Sequence, residues 1–145
     1  MKVLLQRVSE ASVTVSGDCV GRIGKGLLLL VGIEAGDDEA TVARMVERTV
    51  GYRVFADSDE KMNLDVRDIH GAILAISQFT LAADTRKGRR PSFSKAAQPE
   101  QGKQLYEGYL RELEKQNIPV RSGVFGADMQ VQLVNDGPVT FLLSS

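Results

Sequence analysis

The residues best suited to chemistry follow an apolar stretch, at Ser77-Gln78-Phe79-Thr80. The stretch itself, Ala72–Ile76, predicts a buried strand that continues into this segment and turns polar at its end. Backbone N–H groups left unpaired where a strand ladder ends can stabilise a developing oxyanion. These four residues therefore predict a catalytic oxyanion site, with a strand that simply emerges into solvent as the alternative.

Other residues that could drive such chemistry are few. His70 is the only histidine and Cys19 the only cysteine. A serine or cysteine nucleophile normally needs a positioned base, but His70 precedes a strand-opening glycine in a polar loop and is predicted to be a surface residue. Cys19 lies beside a turn and is predicted to be an inert, small apolar residue. One cysteine and one histidine cannot complete a Cys/His zinc site or an internal disulfide.

A second segment, Asn135–Thr140, has the sequence NDGPVT. Glycine gives the backbone freedom and proline fixes φ, which is typical of a turn. The flanking apolar residues predict two strands, Met129–Val134 and Val139–Leu143, so the local pattern favours an ordinary hairpin turn between them. Only about 5–6% of X–Pro bonds in folded proteins are cis, and the pattern alone therefore favours a trans bond between Gly137 and Pro138.

A third segment carries a local excess of positive charge. Its basic residues are Arg86, Lys87, Arg89, Arg90 and Lys95. No acidic residue lies between Asp84 and Glu100, although the whole chain has 18 basic and 19 acidic residues and a net charge of −1. Arginine forks suit phosphate oxygens, so the segment predicts a phosphate-binding loop, with a solvated basic loop as the alternative.

A mainly β framework must position these three segments. Val3–Val8 and Ala11–Ser16 predict paired strands, and Gly17–Asp18 predicts the turn that follows them. Gly26–Ile33 is apolar at successive positions, which predicts a strand buried on both faces. Tyr52–Ala56 predicts a short further strand.

Two helices complete the expected framework. Asp37-Asp38-Glu39 supplies an N-cap and negative charge, and the apolar spacing after it predicts a helix from about Asp38 to Val50. Pro99 suits a first helical turn, and the apolar spacing that follows predicts a helix from about Pro99 to Gln116. A length of 145 residues, 43% of them hydrophobic and 26% charged, predicts one globular domain over residues 1–145. Because neither a membrane span nor an apolar signal core is evident, a cytoplasmic location is expected.

In their combination and order, these segments resemble the D-aminoacyl-tRNA deacylase family, in particular the bacterial D-tyrosyl-tRNA deacylase type. The resemblance runs nearly end to end. It is carried by LLQRVSEASVTV and GRIGKGLLLLVGI near the N-terminus, KMN at 61–63, SQFTL at 77–81, KGRRPSF at 87–93 and NDGPVT at 135–140. SQFTL and GPVT are the two diagnostic motifs. Asp65 departs from the family, which more often has a small hydroxyl residue there, but it lies outside both motifs.

The resemblance implies an α/β fold, with a single domain of layered mixed β-sheets and two main helices packed on one side. It implies a homodimeric, cytoplasmic hydrolase that needs no metal or other cofactor and cleaves the ester between a D-amino acid and the 3′ end of tRNA. It also implies that the bond between Gly137 and Pro138 is cis and enters the pocket of the other subunit. Arg7 then supports this motif, while Phe125 and Met129 line the pocket for the terminal adenosine.

Three expectations about recognition and mechanism build on this resemblance. Rejection of L-aminoacyl groups needs a rigid element, which the carbonyls of Gly137 and Pro138 would supply. Glycine has no side chain to exclude, so hydrolysis of glycyl-tRNA is also expected. Thr80 without a base would be a weak nucleophile, and the 2′-hydroxyl of the substrate is the favoured alternative, with Phe79 and Thr80 as oxyanion donors. The tRNA phosphates are expected to contact Arg86, Lys87, Arg89 and Arg90.

Two rival functions remain open, a non-catalytic RNA-binding module and a plain interaction or scaffold domain. Base stacking on aromatic side chains is common in proteins that bind single-stranded RNA. This chain has no tryptophan, and Phe93 is the only aromatic residue within the basic segment. The sequence therefore favours the catalytic interpretation over the binding module.

Overall fold

A computed structural model describes residues 1–145, the whole of the chain. Its elements, in chain order, are β1 (Lys2–Val15), β2 (Asp18–Ile23), β3 (Gly26–Gly32), α1 (Glu39–Val50), β4 (Phe55–Ala56), β5 (Met62–Leu64), β6 (Ala72–Ser77), a 3₁₀ helix (Phe79–Ala82), α2 (Pro99–Glu114), β7 (Val120–Ser122) and β8 (Gln130–Ser144). The mixed α/β class expected from the sequence is confirmed. No helix combines the length and the hydropathy that a bilayer crossing requires.

Six strands form one mixed sheet built around β1. On one side β1 pairs antiparallel with β8, and on the other it pairs with β3 over Lys2–Val8 and with β2 over Ala11–Val15. The sheet continues from β3 through the parallel strands β6 and β7. A Cβ added at Gly21 in β2 would lie only 3.2 Å from the Ser122 carbonyl oxygen in β7. The sheet therefore curls until it is nearly closed, while β4 and β5 form a separate small hairpin.

The apolar core consists of two clusters on opposite faces of the sheet. The larger contains 22 buried residues between the sheet and the helices, and the smaller contains 7 within the curl. In β3, Leu27 and Leu29 belong to the larger cluster and Leu28 to the smaller, as expected from side chains that alternate along a strand. Burial of β3 on both faces is thus confirmed, and each such leucine contributes about 1.5–3 kcal/mol to folding.

Both predicted helices are confirmed, and they pack against the same face of the sheet. Asp38 caps α1, because its Oδ1 accepts from Thr41 N–H at 2.8 Å and from Thr41 Oγ1 at 2.7 Å, and these bonds lower the pKa of the carboxyl. α2 begins at Pro99. The fully buried Tyr109 hydroxyl in α2 donates to Thr49 Oγ1 in α1 at 2.8 Å, which ties the two helices together.

Two strand predictions are wrong for a common reason. Val3–Val8 and Ala11–Ser16 do not pair with each other but form the single strand β1, and Met129–Val134 and Val139–Leu143 do not form a hairpin but belong to the single strand β8. Each half of β8 pairs with β1 in the same antiparallel direction. The long edge of β1 therefore supplies backbone partners to both halves, so the chain continues past the glycine and proline without reversing.

Candidate active site

The segment Ser77–Thr80 lies where β6 ends beside β3. β6 stops at Ser77 rather than continuing through this segment as predicted, because the chain turns into the 3₁₀ helix. The turn is held by Gln78 N–H, which donates to the Val31 carbonyl oxygen at 2.7 Å. It also depends on Gly32, where an added Cβ would lie 3.0 Å from the Gln78 carbonyl oxygen.

A cavity of about 460 Å³ opens beside this turn. Its 15 lining residues are Val31, Ile33, Ile76, Ser77, Gln78, Phe79, Ala97, Pro99, Gly102, Tyr106, Phe125, Gly126, Ala127, Met129 and Val131. Ten of them are hydrophobic and none carries a charge, and the volume lies within the usual range for small-molecule sites. The cavity brings together five of the predicted site residues, which are Ser77, Gln78, Phe79, Phe125 and Met129.

The rest of the lining was not anticipated from the sequence. It comes mainly from β3, from the start of α2 and from the segment before β8. Tyr106 is an example, since its helical spacing indicates only a core position. It is 2% exposed, its hydroxyl donates to the Ala75 carbonyl oxygen at 3.0 Å, and burial raises the pKa of the phenol. Tyr106 therefore stays neutral and forms a fixed wall rather than a base.

Met129 has room to line the cavity because the residue packed against it, Gly123, has no side chain. A Cβ at Gly123 would lie 2.4 Å from Met129 Sδ. On the α2 side, the Tyr106 and Phe125 rings lie with centroids 5.8 Å apart. Thioether and aromatic groups offer a polarizable, adaptable surface, which suits the flat face of a ligand ring.

No general base faces the cavity. Thr80 is exposed and does not line it, and the Thr80 hydroxyl accepts a hydrogen bond from Gln78 Nε2 at 2.5 Å. His70 is exposed and lies just before β6 begins, whereas Ser77 is at the other end of that strand. Six strand residues span about 20 Å, so the imidazole does not reach Thr80. Nor does any group of three or more His, Cys, Asp or Glu residues form a metal site.

The Gly137–Pro138 segment forms a protrusion within β8. Gln6 of β1 pairs with Thr140 and Val8 pairs with Asn135, so the residues between Asn135 and Thr140 bulge out of the ladder. The bond between Gly137 and Pro138 is cis, and the trans bond favoured by the local pattern is therefore wrong. Both residues are exposed, and neither lines the cavity of its own chain.

Arg7 and Asn135 fasten the base of this protrusion. Arg7 Nε donates to the Asp136 carbonyl oxygen at 3.0 Å, and Arg7 Nη1 donates to the Val54 carbonyl oxygen at 2.6 Å. Asn135 Nδ2 donates to the carbonyl oxygens of Arg7 at 2.9 Å and Val139 at 3.0 Å. The Arg7 side chain thus lies behind the predicted motif, where it holds the backbone rather than the cavity.

In the basic segment, one basic side chain is paired with an acidic residue and several are not. Arg86 is paired with Asp84, with Arg86 Nε donating to Asp84 Oδ1 at 2.8 Å, and this pairing holds the pKa of the Asp84 carboxyl well below its usual range. Lys87, Arg89 and Arg90 are exposed and form no ion pair. The charge of Arg86 is therefore compensated within the loop, while the other three remain available.

The sequence of this chain is similar to a family model and to known bacterial proteins. Residues 4–144 match the family model described as D-Tyr-tRNA(Tyr) deacylase. A D-aminoacyl-tRNA deacylase from Alcanivorax borkumensis is 66% identical over 143 residues, which cover 99% of each chain. One from Idiomarina loihiensis is 58% identical over 97% of each chain.

Solved structures extend the comparison. One, of a protein named c-Myc DNA Unwinding Element Binding Protein, has a TM-score of 0.96 at 41% identity, covering 100% of this chain and 99% of its own. Another, of a probable eukaryotic D-amino acid tRNA deacylase, has a TM-score of 0.85 at 16% identity over 98% of this chain and 97% of its own, and shows the same fold. With a family model matched over nearly the whole length and relatives well above 50% identity, the chain belongs to the D-Tyr-tRNA(Tyr) deacylase family.

Proposed function

We propose that the protein hydrolyses the ester bond between a D-amino acid and the 3′ end of a tRNA, in the cytoplasm, as a homodimer and without a metal or other cofactor. The observation that carries this proposal is the uncharged cavity with Ser77, Gln78 and Phe79 in its wall. Membership in a family of deacylases supports an enzyme rather than a scaffold, and the two bacterial relatives described above are called D-aminoacyl-tRNA deacylases.

In this proposal the cavity holds the terminal adenosine of the tRNA. Phe125 and Met129 present aromatic and thioether surface to the purine ring. Ser77 and Gln78 lie at the end of β6, where a hydroxyl and an amide can hydrogen-bond to the polar edge of the nucleoside. The ester is thereby placed at the turn that begins with Phe79.

The handedness of the substrate is read by backbone atoms of the Gly137–Pro138 segment. Its carbonyl oxygens accept hydrogen bonds from the α-ammonium group and occupy the space that an L side chain would need. The segment acts in the cavity of the other subunit. This placement is supported by its exposure, by its absence from the cavity of its own chain and by the bonds from Arg7 and Asn135 that hold it outward.

The hydrolytic step uses the RNA itself as the activating group. The terminal 2′-hydroxyl orients or activates a water molecule, which attacks the ester carbonyl, and backbone N–H groups at Phe79 and Thr80 stabilise the oxyanion. Collapse of the intermediate releases the 3′-oxygen, which takes up a proton, and the free amino acid. The absence of a base from the cavity lining supports this route, because an unassisted threonine is a poor nucleophile.

The primary test is hydrolysis of tRNA charged with D-tyrosine, L-tyrosine or glycine by a small molar fraction of protein. We expect many turnovers of the D-tyrosyl and glycyl esters, whereas the L-tyrosyl ester should stay intact. The release of free amino acid measures hydrolysis. Rapid release of L-tyrosine would remove the chiral selector from the proposal. Binding without consumption of any ester would instead favour a non-catalytic nucleic-acid-binding function, in line with the name of the structural relative at 41% identity.

The cross-subunit arrangement is tested by mixing two variants that each lose most of the activity. Ala127→Trp fills the cavity but leaves the protrusion intact, whereas Arg7→Ala weakens the protrusion but leaves the cavity open. A mixed dimer then contains one open cavity facing one intact protrusion. We expect activity to return on mixing, up to the share of mixed dimers. If each protrusion served its own cavity, the mixture would stay at the low activity of the two variants.

The role of Thr80 is tested by comparing a protein change with a substrate change. Thr80→Ala is expected to keep turnover within about tenfold of the wild type, because the backbone N–H remains. A 2′-deoxy terminal adenosine is expected to abolish measurable turnover, since a general-base contribution is typically about 10²–10⁴-fold. The opposite pair of results would make Thr80 the nucleophile.

A further inference from the structure

Two aromatic rings beside the cavity form a contact that the function proposed so far does not use. Phe79 in the 3₁₀ helix and Phe93 in the basic segment lie with ring centroids 5.0 Å apart and planes tilted by 47°. Phe79 is 60% exposed and Phe93 is 40% exposed. Single exposed apolar residues are common, but two phenylalanines in contact that both remain open to solvent form a patch that burial in the core does not explain.

The position of the pair relates it to the cavity. Phe79 lines the cavity, whereas Phe93 does not. The contact between the two rings thus joins a cavity-lining residue to an exposed residue outside the lining. Phe93 directly follows Ser92, whose backbone exchanges two hydrogen bonds with Asp84, at 2.8 and 3.1 Å. The backbone next to Phe93 is thus fixed by the fold.

The basic residues near Phe93 in the chain indicate the kind of partner. Arg89, Arg90 and Lys95 are exposed, lie within a few residues of Phe93 in the chain and form no ion pair, while Arg86 is already paired with Asp84. Aromatic rings next to free cations are the usual combination for single-stranded nucleic acid, in which the bases stack and the phosphates contact the cations. An apolar protein partner would not need the cations.

We propose that Phe79 and Phe93 form a stacking subsite for the penultimate nucleobase of the RNA 3′ end. The inference rests on the proposed function, which places the terminal adenosine in the cavity that Phe79 borders. The next nucleotide along the strand must then leave the cavity past Phe79, and its base meets the open face of the pair. The free cations contact the phosphates on either side of it.

The subsite is tested with two substrates that differ in whether they contain the penultimate base. One is D-tyrosyl-adenosine, and the other is a D-tyrosyl RNA minihelix with its full single-stranded 3′ end. In the Phe93→Ala variant, we expect the ratio of kcat/KM for the minihelix to that for the adenosine ester to fall at least about fivefold, the lower bound for the loss of one aromatic–base stack. Phe93→Trp should keep the ratio near its wild-type value, whereas Phe93→Leu should lower the ratio as Phe93→Ala does.

A matched control separates stacking from loss of apolar surface. Val20 is 42% exposed on β2, so Val20→Ala removes a comparable exposed apolar group outside the loop and should leave the ratio unchanged. A minihelix with an abasic penultimate nucleotide should lower kcat/KM of the wild type as much as Phe93→Ala does. Combining the abasic substrate with Phe93→Ala should give no further loss.

The outcomes are distinct. An equal loss on both substrates, no loss on the minihelix, or full additivity of the abasic nucleotide and Phe93→Ala would each overturn the stacking subsite. A wild-type protein that cleaves neither substrate would overturn the proposed function itself. If Phe93→Ala does not fold, the comparison of Phe93→Trp with Phe93→Leu and the wild-type protein on the abasic minihelix still decide the question.

Discussion

The two exposed segments that the proposed function uses are built in opposite ways. Asp136 is the only charged residue of the Gly137–Pro138 protrusion. Hydrogen bonds from the Arg7 and Asn135 side chains to backbone carbonyls hold the base of the protrusion. The basic segment has one internal ion pair, between Arg86 and Asp84, and several long side chains without partners.

Each kind of recognition sets a different requirement on its segment. Reading handedness requires atoms that do not move, because the difference between enantiomers is only where a side chain points. Holding phosphates requires charge near the RNA but little fixed geometry, since the attraction acts over several ångströms. Hydrogen bonds hold the first segment from behind, whereas in the second segment the side chains of Lys87, Arg89 and Arg90 have no ion-pair partner.

The largest effect expected from breaking this contrast is at Arg7. Arg7→Ala removes two charged donors from backbone carbonyls, each worth about 1.5–3 kcal/mol. We expect kcat/KM for the D-tyrosyl ester to fall by about 100-fold and the preference for D over L to shrink. Arg7→Lys should recover little, because a lysine lacks the fork that reaches two acceptors. Steady-state kinetics with both enantiomers measure the effect.

Arg22→Ala is the matched control for that change. Arg22 lies on the neighbouring strand β2, is exposed and forms no hydrogen bond or ion pair through its side chain. Its removal should leave both kcat/KM and the enantiomer preference unchanged. A loss at Arg22 as large as that at Arg7 would mean that overall charge, rather than support of the protrusion, is what matters.

A smaller effect is expected from neutralising the free cations of the basic segment. Replacing both Arg89 and Arg90 by alanine should weaken binding about tenfold for every tRNA and reduce the slope of log K against log salt by about 1–2, since each phosphate contact contributes about 0.7–0.9. The enantiomer preference should not change. Salt titrations of tRNA binding provide the measurement.

The double variant of Arg22 and Lys25 provides the control for this charge change. Both residues are exposed near the β2–β3 turn and have no ion-pair partner. Removing the same net charge there should leave the salt slope at its wild-type value. An unchanged slope in the Arg89 and Arg90 variant would place those two side chains in bulk water or against another subunit.

The smallest effect concerns stability alone, at Asp65. Its carboxylate accepts from Arg67 Nη2 at 2.7 Å and from Arg67 N–H at 2.8 Å, and the Arg67 side chain is the first cause that lowers the pKa of Asp65. A lowered pKa in the folded state contributes stability above the unfolded value of about 3.9, and this stability is lost as pH falls through the folded value.

We therefore expect Asp65→Asn to lower the free energy of unfolding by about 1 kcal/mol at pH 7, with the difference from the wild type shrinking below about pH 4. Urea unfolding at several pH values measures it. Asp59→Asn is the control, because the exposed Asp59 side chain forms no hydrogen bond or ion pair. A difference at Asp65 that stays constant down to low pH would exclude the ion pair as its cause.

Much of the framework followed from local patterns. The N-cap at Asp38, the proline at the start of α2 and the continuous apolar run of β3 each predict an element that the structure contains. These signals are reliable because they arise from backbone hydrogen bonding and burial within one segment. The prediction of a hairpin around Gly137 was wrong because the local turn signal competed with a long-range interaction. Both halves of β8 pair with the same edge of β1.

Only part of the candidate site could be predicted from local sequence patterns. The residues Ser77 to Phe79 could be selected because polar groups follow an apolar strand, and Phe125 and Met129 were selected by resemblance alone. Tyr106 gave no signal beyond a core helix position, and the contact between Phe79 and Phe93 joins residues from two different segments. The absence of clustered aromatic residues in the sequence did not exclude an aromatic pair in space.

The mixed α/β class, both helices and the family can be predicted from the sequence, because helix caps, apolar periodicity and ordered motifs lie within short stretches of chain. Three features emerge only from the folded chain: β8 is one strand with a protrusion, the cavity contains no base, and Arg86 is paired while its basic neighbours are not. These features depend on which distant groups meet, and that is set by the packing of the whole sheet against its helices rather than by any single segment.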